Sequence, residues 1–195
     1  MTTYDRHTAL VVVDVQNDFA DPSGSLYVRG GDDVVALIDA EVRHARLADA
    51  RVVFTQDWHP EDTPHFRKDG GIWPVHCVHD TWGAALHPGL DPAAAEILRK
   101  GADGKDGYSG FSVRDPMSGE RQDTVLHETL VAAGIERLVV CGLATDYCVV
   151  ETVIDARMLG YSVRVLGSAI RAVDLEPGDG DRAIDRMRDA GAEVL

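Results

Sequence analysis

Asp57 to Cys77 reads D-W-H-P-E-D-T-P-H-F-R-K-D-G-G-I-W-P-V-H-C, a leading carboxylate followed by three histidines. Asp57 and His59 stand two apart at the end of a strand-like run, so their side chains can point the same way. Pro60, Pro64 and Pro74 stiffen the segment that returns His65 and His76. Imidazole with carboxylate suits Zn, Mn or Fe, and the absence of cysteine ligands argues against a closed structural zinc site. Such a centre keeps a position open for water or substrate. The ordinary alternative is a set of loop histidines on an acidic surface. Cys77, beside His76, reads as a small buried hydrophobe. His7, His44, His79, His87 and His127 read as surface or packing residues.

A second chemistry belongs to Cys148, in G-L-A-T-D-Y-C-V-V-E-T-V-I-D-A. A thiol acts as its thiolate, and a helix N-terminus lowers a cysteine pKa from about 8.5 by bringing unpaired N–H groups near sulfur. Cys148 stands at such a start. A proton acceptor is available in Asp14, the only acid that closes so apolar a run, where a buried carboxylate is expensive without a partner. Lys100, in I-L-R-K-G, can hold both the carboxylate and the thiolate charged. Taken singly, Asp14 also reads as a turn cap, Lys100 as a solvated lysine and Cys148 as helix packing. Cys141 sits within its strand without such partners and reads as core. Phe19, Trp73 and Tyr108 stand near the same strand ends, where they can sandwich a flat ring or pack the loops down.

These residues need a scaffold that brings them together. Thr8 to Asp14, Arg51 to Gln56 and Arg137 to Gly142 are continuous β-branched runs of strand length, suited to strands buried on both faces. Between the first two, Val34, Ile38, Val42 and Ala45 recur at helical spacing behind Asp32 and Asp33. The alternation returns with Leu126, Leu130 and Ala133, with Val149 to Leu159, with S-V-R-V-L-G, with Ala183, Ile184, Met187 and Ala190, and with the terminal A-E-V-L. That order predicts a parallel sheet covered by helices. Asp57 to Pro92 and Gly101 to Gly119 escape the rhythm and read as long functional loops. In such sheets ligands bind beyond the carboxyl ends of the strands, where Asp14, Asp57 and the Gly142 turn all fall. The apolar residues on both sides of the 149–159 segment permit a dimer, but more economically place that helix inside the fold.

Composition narrows the function. The chain has 195 residues, 45% of them hydrophobic, with no compositional break, which predicts one domain over 1–195. Nineteen Lys plus Arg against 33 Asp plus Glu give a net charge of -14, which repels nucleic acid and anionic membrane surfaces. Without a membrane-length apolar run or a signal pattern, and with three unpaired-looking cysteines, the expectation is a soluble cytoplasmic protein with free thiols. D-V-Q-N-D-F replaces the glycine fingerprint of a dinucleotide site, and G-A-D-G-K is too short for a phosphate loop and reads as a turn.

V-D-V-Q-N-D-F, D-W-H-P-x-x-x-x-H-F, W-P-x-H-C, K-G, Y-S-G-F and G-L-A-T-D-Y-C occur here in one order and over nearly the whole chain. In this the sequence resembles the nicotinamidases, also called pyrazinamidases, of the isochorismatase-like cysteine hydrolases. The resemblance implies an α/β fold, a three-layer αβα sandwich around a mostly parallel six-stranded sheet. It implies a triad of Asp14, Lys100 and Cys148, an oxyanion hole from the Ala144 and Cys148 N–H groups, and a cis Leu143–Ala144 peptide. Metal ligands fall on Asp57, His59 and His76, with His65 a fourth in some members, and the implied cofactor is one divalent transition metal ion, Zn before Mn or Fe. In family members that metal binds the pyridine nitrogen. Phe19, Trp73 and Tyr108 match the ring-holding positions. The implied reaction converts nicotinamide, and pyrazinamide also, to the acid and ammonia through a thioester. Small-molecule amides are thus the implied partners, with a homo-oligomer permitted. Other readings are a superfamily hydrolase of carbamoyl, ureido or vinyl ether substrates, and a non-catalytic metal or small-ligand binding module. Departures from the family pattern are Tyr147 where many members have His, Arg67 where Ser often stands, and a longer stretch from Lys100 to Tyr108. Lys105 competes for the lysine role, although Lys100 carries the K-G context.

Overall fold

The computed structural model describes residues 4–93 and 95–195. The first apolar run forms β1 (Thr8–Val13), buried along its whole length. Its side chains alternate between two cores, as the two-residue period of a strand demands. Leu10 and Val12 join Val34, Ile38 and Val42 of α2 (Gly31–Leu47) on one face. Ala9, Val11 and Val13 join Leu126 and Leu130 of α3 (Leu126–Ala132), Val150 and Val153 of α4 (Val150–Met158) and Met187 of α5 (Asp179–Asp189) on the other. These are the three layers expected of the sequence. α2 opens on Asp32 and Asp33 and closes on His44 and Arg46, each sign at the dipole end that favours it. The short α1 (Asn17–Ala20) follows β1 directly.

The main sheet has six strands in the order β3-β2-β1-β6-β7-β8. Added to β1 are β2 (Arg51–Asp57), β3 (Glu96–Lys100), β6 (Arg137–Leu143), β7 (Ser162–Arg171) and β8 (Glu193–Val194). Every neighbouring pair is parallel. No helix among the described residues is long and apolar enough to cross a membrane. All three cysteines are free and buried.

Two expectations change. The segment read as a loop over 101–119 carries β4 (Ser112–Arg114), which pairs antiparallel with β5 (Arg121–Asp123). Asp115 Oδ1 turns the chain between them by accepting the N–H groups of Met117 and Ser118 at 2.9 and 2.7 Å. The helix after Cys148 is also less enclosed than its apolar content suggested. Val150 and Val153 are fully buried, whereas Met158 and Leu159 at its C-terminal end are exposed.

At Gly142 the β6 backbone passes so close to β1 that an added Cβ would lie 2.1 Å from the Val13 carbonyl oxygen, at φ 115. Gly142→Ala is therefore expected to lower stability by more than about 3 kcal/mol, since the strain and the clash add. A denaturant titration checks this, and a midpoint equal to wild type would contradict the close approach.

Candidate active site

Four adjacent strands of the sheet, β3, β2, β1 and β6, deliver Lys100, Asp57, Asp14 and the Ala144–Cys148 turn to one edge. Parallel register sets Asp57 directly beside Lys100, and Val13 beside Gly142. Asp14 leaves β1 in the left-handed region, φ 47, which turns the chain out of the strand where its carboxylate meets Lys100. Cys148 lies in a single wide π-type turn, Thr145–Val149, that leads into α4, and the Leu143–Ala144 peptide before it is cis.

Lys100 is the hub of this edge. Its ammonium is fully buried, 2.7 Å from Asp14 Oδ2, and it donates to Asp57 Oδ1 and to the Gly107 carbonyl. It also lies 3.7 Å from Cys148 Sγ. Asp14 is held by Thr55, whose hydroxyl donates to Asp14 Oδ1 at 2.6 Å and accepts the Asp14 N–H at 3.2 Å. Gln16 clips Asp57 in place through its backbone, donating to the Asp57 carbonyl at 2.7 Å and accepting its N–H at 2.8 Å. Lys105, the competing lysine, lies outside the cluster against Asp103 and Gln122, both at 2.6 Å.

The electrostatics depart from the sequence reading at the thiol. A helix start was expected to lower the Cys148 pKa, but burial raises it well above its ordinary value. Lys100 pulls it down, and Asp14 and Asp57 push it further up. The turn amides cannot outweigh loss of solvent at a side chain 6% exposed. Burial likewise raises Asp14 despite the pull of Lys100, with Asp57 adding to the rise. Burial pushes Asp57 up as well, but Lys100 and the neighbouring imidazoles outweigh it and hold its carboxyl far below the usual range. Lys100 stays firmly protonated: burial opposes its charge, and the two carboxylates and the thiol more than offset that. The Lys100 ammonium is thus shared by two carboxylates, of which Asp14 is the more basic, and it lies beside a thiol that holds its proton more tightly than in water.

Next to it stand three imidazoles, His59, His65 and His76, with one ring nitrogen of each within 4.8 Å of the others. Asp57 groups instead with Asp14 and Cys148, and its Oδ2 is 3.8 Å from His59 Nε2. The predicted four-ligand set is thus three imidazoles with Asp57 on the boundary between the two groups. The donors suit a divalent transition ion. His59 is completely buried, yet among the described residues neither of its ring nitrogens has a hydrogen-bond partner, an arrangement that is unfavourable unless something else occupies a lone pair. His76 Nδ1 donates to the Pro74 carbonyl at 2.8 Å, leaving Nε2 free. Burial, only partly opposed by Asp57, lowers the His76 pKa to about 4, so the ring is neutral and able to ligate near pH 7.

Between the imidazoles and the thiol lies a cavity of about 360 Å³, mouth included. All three predicted ring-holding residues line it: Phe19, Trp73 and Tyr108, with Trp73 Nε1 donating to the Tyr108 hydroxyl at 2.9 Å. Asp57, His65 and His76 border it together with Ala144 and Cys148. Tyr147 is a further wall, its ring edge-on to Trp73 with centroids 4.8 Å apart, and Leu26, Val28 and Val173 close the apolar side. Sequence reasoning missed Thr55 and Gln16. Thr55 was accessible in principle, because it stands two before Asp57 and so shares its face of β2.

The Isochorismatase domain model matches residues 8–195. Nicotinamidase from Escherichia coli (strain K12) is 38% identical over 203 residues, spanning 95% of this chain and 93% of that protein. The pyrazinamidase of Pyrococcus horikoshii, solved in complex with zinc, is 37% identical with a TM-score of 0.86, over 97% of this chain and 98% of that one. PnC1 from L. infantum, solved in complex with nicotinate, is 36% identical with a TM-score of 0.89, over 100% of this chain and 95% of that one. With the matched model covering the sheet, the thiol turn and the histidine segment alike, the chain belongs to the isochorismatase family.

Proposed function

We propose that the chain acts as one hydrolase domain that converts nicotinamide to nicotinate and ammonia, and pyrazinamide to its acid, through a thioester on Cys148. The observation that carries this reading is the cavity itself, an aromatic slot with imidazoles on one side and a thiol beside a buried lysine and carboxylate on the other. The similarity to a nicotinamidase and to a nicotinate-bound structure supports the choice of ring.

Because burial keeps the thiol protonated, attack needs a base near it. Asp14, whose carboxylate lies within 4.8 Å of the sulfur, is that base: it takes the Cys148 proton while Sγ forms a bond to the carboxamide carbon. Lys100, already paired with both carboxylates, stabilises the charge left between oxygen and sulfur. The Ala144 and Cys148 N–H groups receive the carbonyl oxygen as it becomes an oxyanion, a contact worth about 3 kcal/mol per donor. The C–N bond breaks as Asp14 returns its proton to nitrogen and ammonia leaves. Asp14 then deprotonates water, whose oxygen attacks the thioester, the C–S bond breaks, and Cys148 recovers a proton as the acid departs. Phe19, Trp73 and Tyr108 hold the ring flat throughout.

His59, His65 and His76, with Asp57 beside them, would hold a divalent transition metal, zinc before manganese or iron. When bound it supplies Lewis acidity toward a ring nitrogen or water. Removing the metal with a chelator is expected to reduce ammonia release from nicotinamide by about 100-fold or more, and added zinc to restore it. A stripped protein with undiminished turnover would remove the metal from the reaction. No ammonia from nicotinamide or pyrazinamide by the zinc-loaded protein would remove the substrate class.

A further inference from the structure

His65 is the metal candidate that differs most from the others in how it is held. Its Nδ1 lies 2.6 Å from Asp106 Oδ1, a carboxylate 41 residues away, and the imidazole is 5% exposed against 21% for the acid. We infer that Asp106 is a positioning residue that makes His65 a metal ligand, by fixing its tautomer and aiming its second nitrogen at His59 and His76. The inference rests on the metal site of the proposed function.

An ionised carboxylate only accepts hydrogen bonds, so Nδ1 must carry the proton and Nε2 keeps its lone pair. Nε2 is then the nitrogen left to join the other two imidazoles, whose ring centroids lie 4.7 and 5.4 Å from that of His65. Asp106 is itself fixed: its N–H donates to the Arg114 carbonyl at 2.7 Å and its carbonyl accepts the Arg114 N–H at 2.8 Å. The loop that carries it reaches the rest of the site at several points. Gly101 packs against the His59 ring, where a Cβ would lie 3.0 Å away, and the Gly107 carbonyl accepts from Lys100. Thr63 donates to the Gly104 carbonyl at 3.1 Å, which ties the loop to the histidine segment. An ion pair that only fastens loop to loop is the competing account, and it makes a different prediction.

The test is the zinc dissociation constant, measured by competition with a chromogenic chelator, in a double-mutant cycle of His65→Ala and Asp106→Ala, with Asp106→Asn as the conservative variant. Asp106→Ala is expected to weaken zinc by about 10- to 100-fold. Asp106→Asn, which keeps an acceptor but not the charge, should lose less. In the His65→Ala background neither Asp106 substitution should change affinity further, because the partner through which Asp106 acts is gone. If Asp106→Ala does not fold, the comparison of Asp106→Asn in the two backgrounds decides. Wild-type affinity in the Asp106 variants, or equal losses with and without His65, would overturn the positioning role and leave the metal site standing. A wild-type protein that binds no zinc would overturn both.

Discussion

Cys148→Ala should abolish ammonia release, by about 10⁴-fold or more, while the protein stays folded and keeps its metal. The size of the effect follows from losing the only atom that can form the thioester, since what remains is a slot that binds the amide without attacking it. The fold should tolerate the change. It removes one sulfur from a buried side chain, and such small truncations cost about 1 kcal/mol. Metal content should not change, because the three imidazoles form a group of their own and the thiol belongs to the other. The measurements are ammonia by coupled assay, zinc by elemental analysis and stability by urea titration. Turnover within tenfold of wild type would exclude Cys148 as nucleophile; loss of both zinc and stability would mean the residue acts through packing.

Lys100→Met is expected to have the largest effect on stability. The lysine ammonium is fully buried and touches two carboxylates that lie close to each other and to the thiol. Removing the cation leaves two buried acids facing one another, and breaking a buried pair in this way costs about 3–5 kcal/mol. Activity should fall with it, by about 10³-fold, as the charge that supports proton transfer is gone. The second substitution separates the two effects. Asp57→Asn in the Lys100→Met background removes one of the stranded charges, so it should recover much of the stability and none of the activity. A single variant as stable as wild type would show that the two carboxylates do not depend on the lysine.

Much of this arrangement was legible because the strands that build it are long and β-branched. The runs at Thr8, Arg51 and Arg137 suit strands buried on both faces, and the spacing of Val34, Ile38 and Val42 suits a helix over them. The β4–β5 ribbon was not legible: its strands have three residues each, and Arg121 to Asp123 are all exposed and polar, so no apolar period marks them. Asp14 stood out as the one acid ending an apolar run. Lys100 could be separated from Lys105 only by context, and it is the pairing of Asp57 with Lys100 across β2 and β3 that makes the distinction physical. Asp106 was invisible as a site residue, an acid in a glycine-rich loop in a chain with 33 acidic residues. The thiol was placed correctly and its acidity was not, because proximity to a helix start can be read from a sequence and the depth of burial cannot.

The four strand ends and the two loops divide the site unequally. Groups that move protons or form bonds in the proposed reaction sit on the sheet or on the turn directly after it, where each is braced by a neighbouring strand. Groups that face the ring, Trp73 and Tyr108 among them, come from segments outside the sheet. The two sets consequently face different constraints during divergence. Substituting ring-facing side chains such as Trp73 and Tyr108 presents a different molecule to the reaction centre, provided that the histidines and the Gly107 carbonyl carried by the same segments are kept, whereas a change at a strand end is transmitted through the register to its neighbours. New specificities on this scaffold are therefore best sought at single loop positions that face the ring, with the strands and the histidines left as they are.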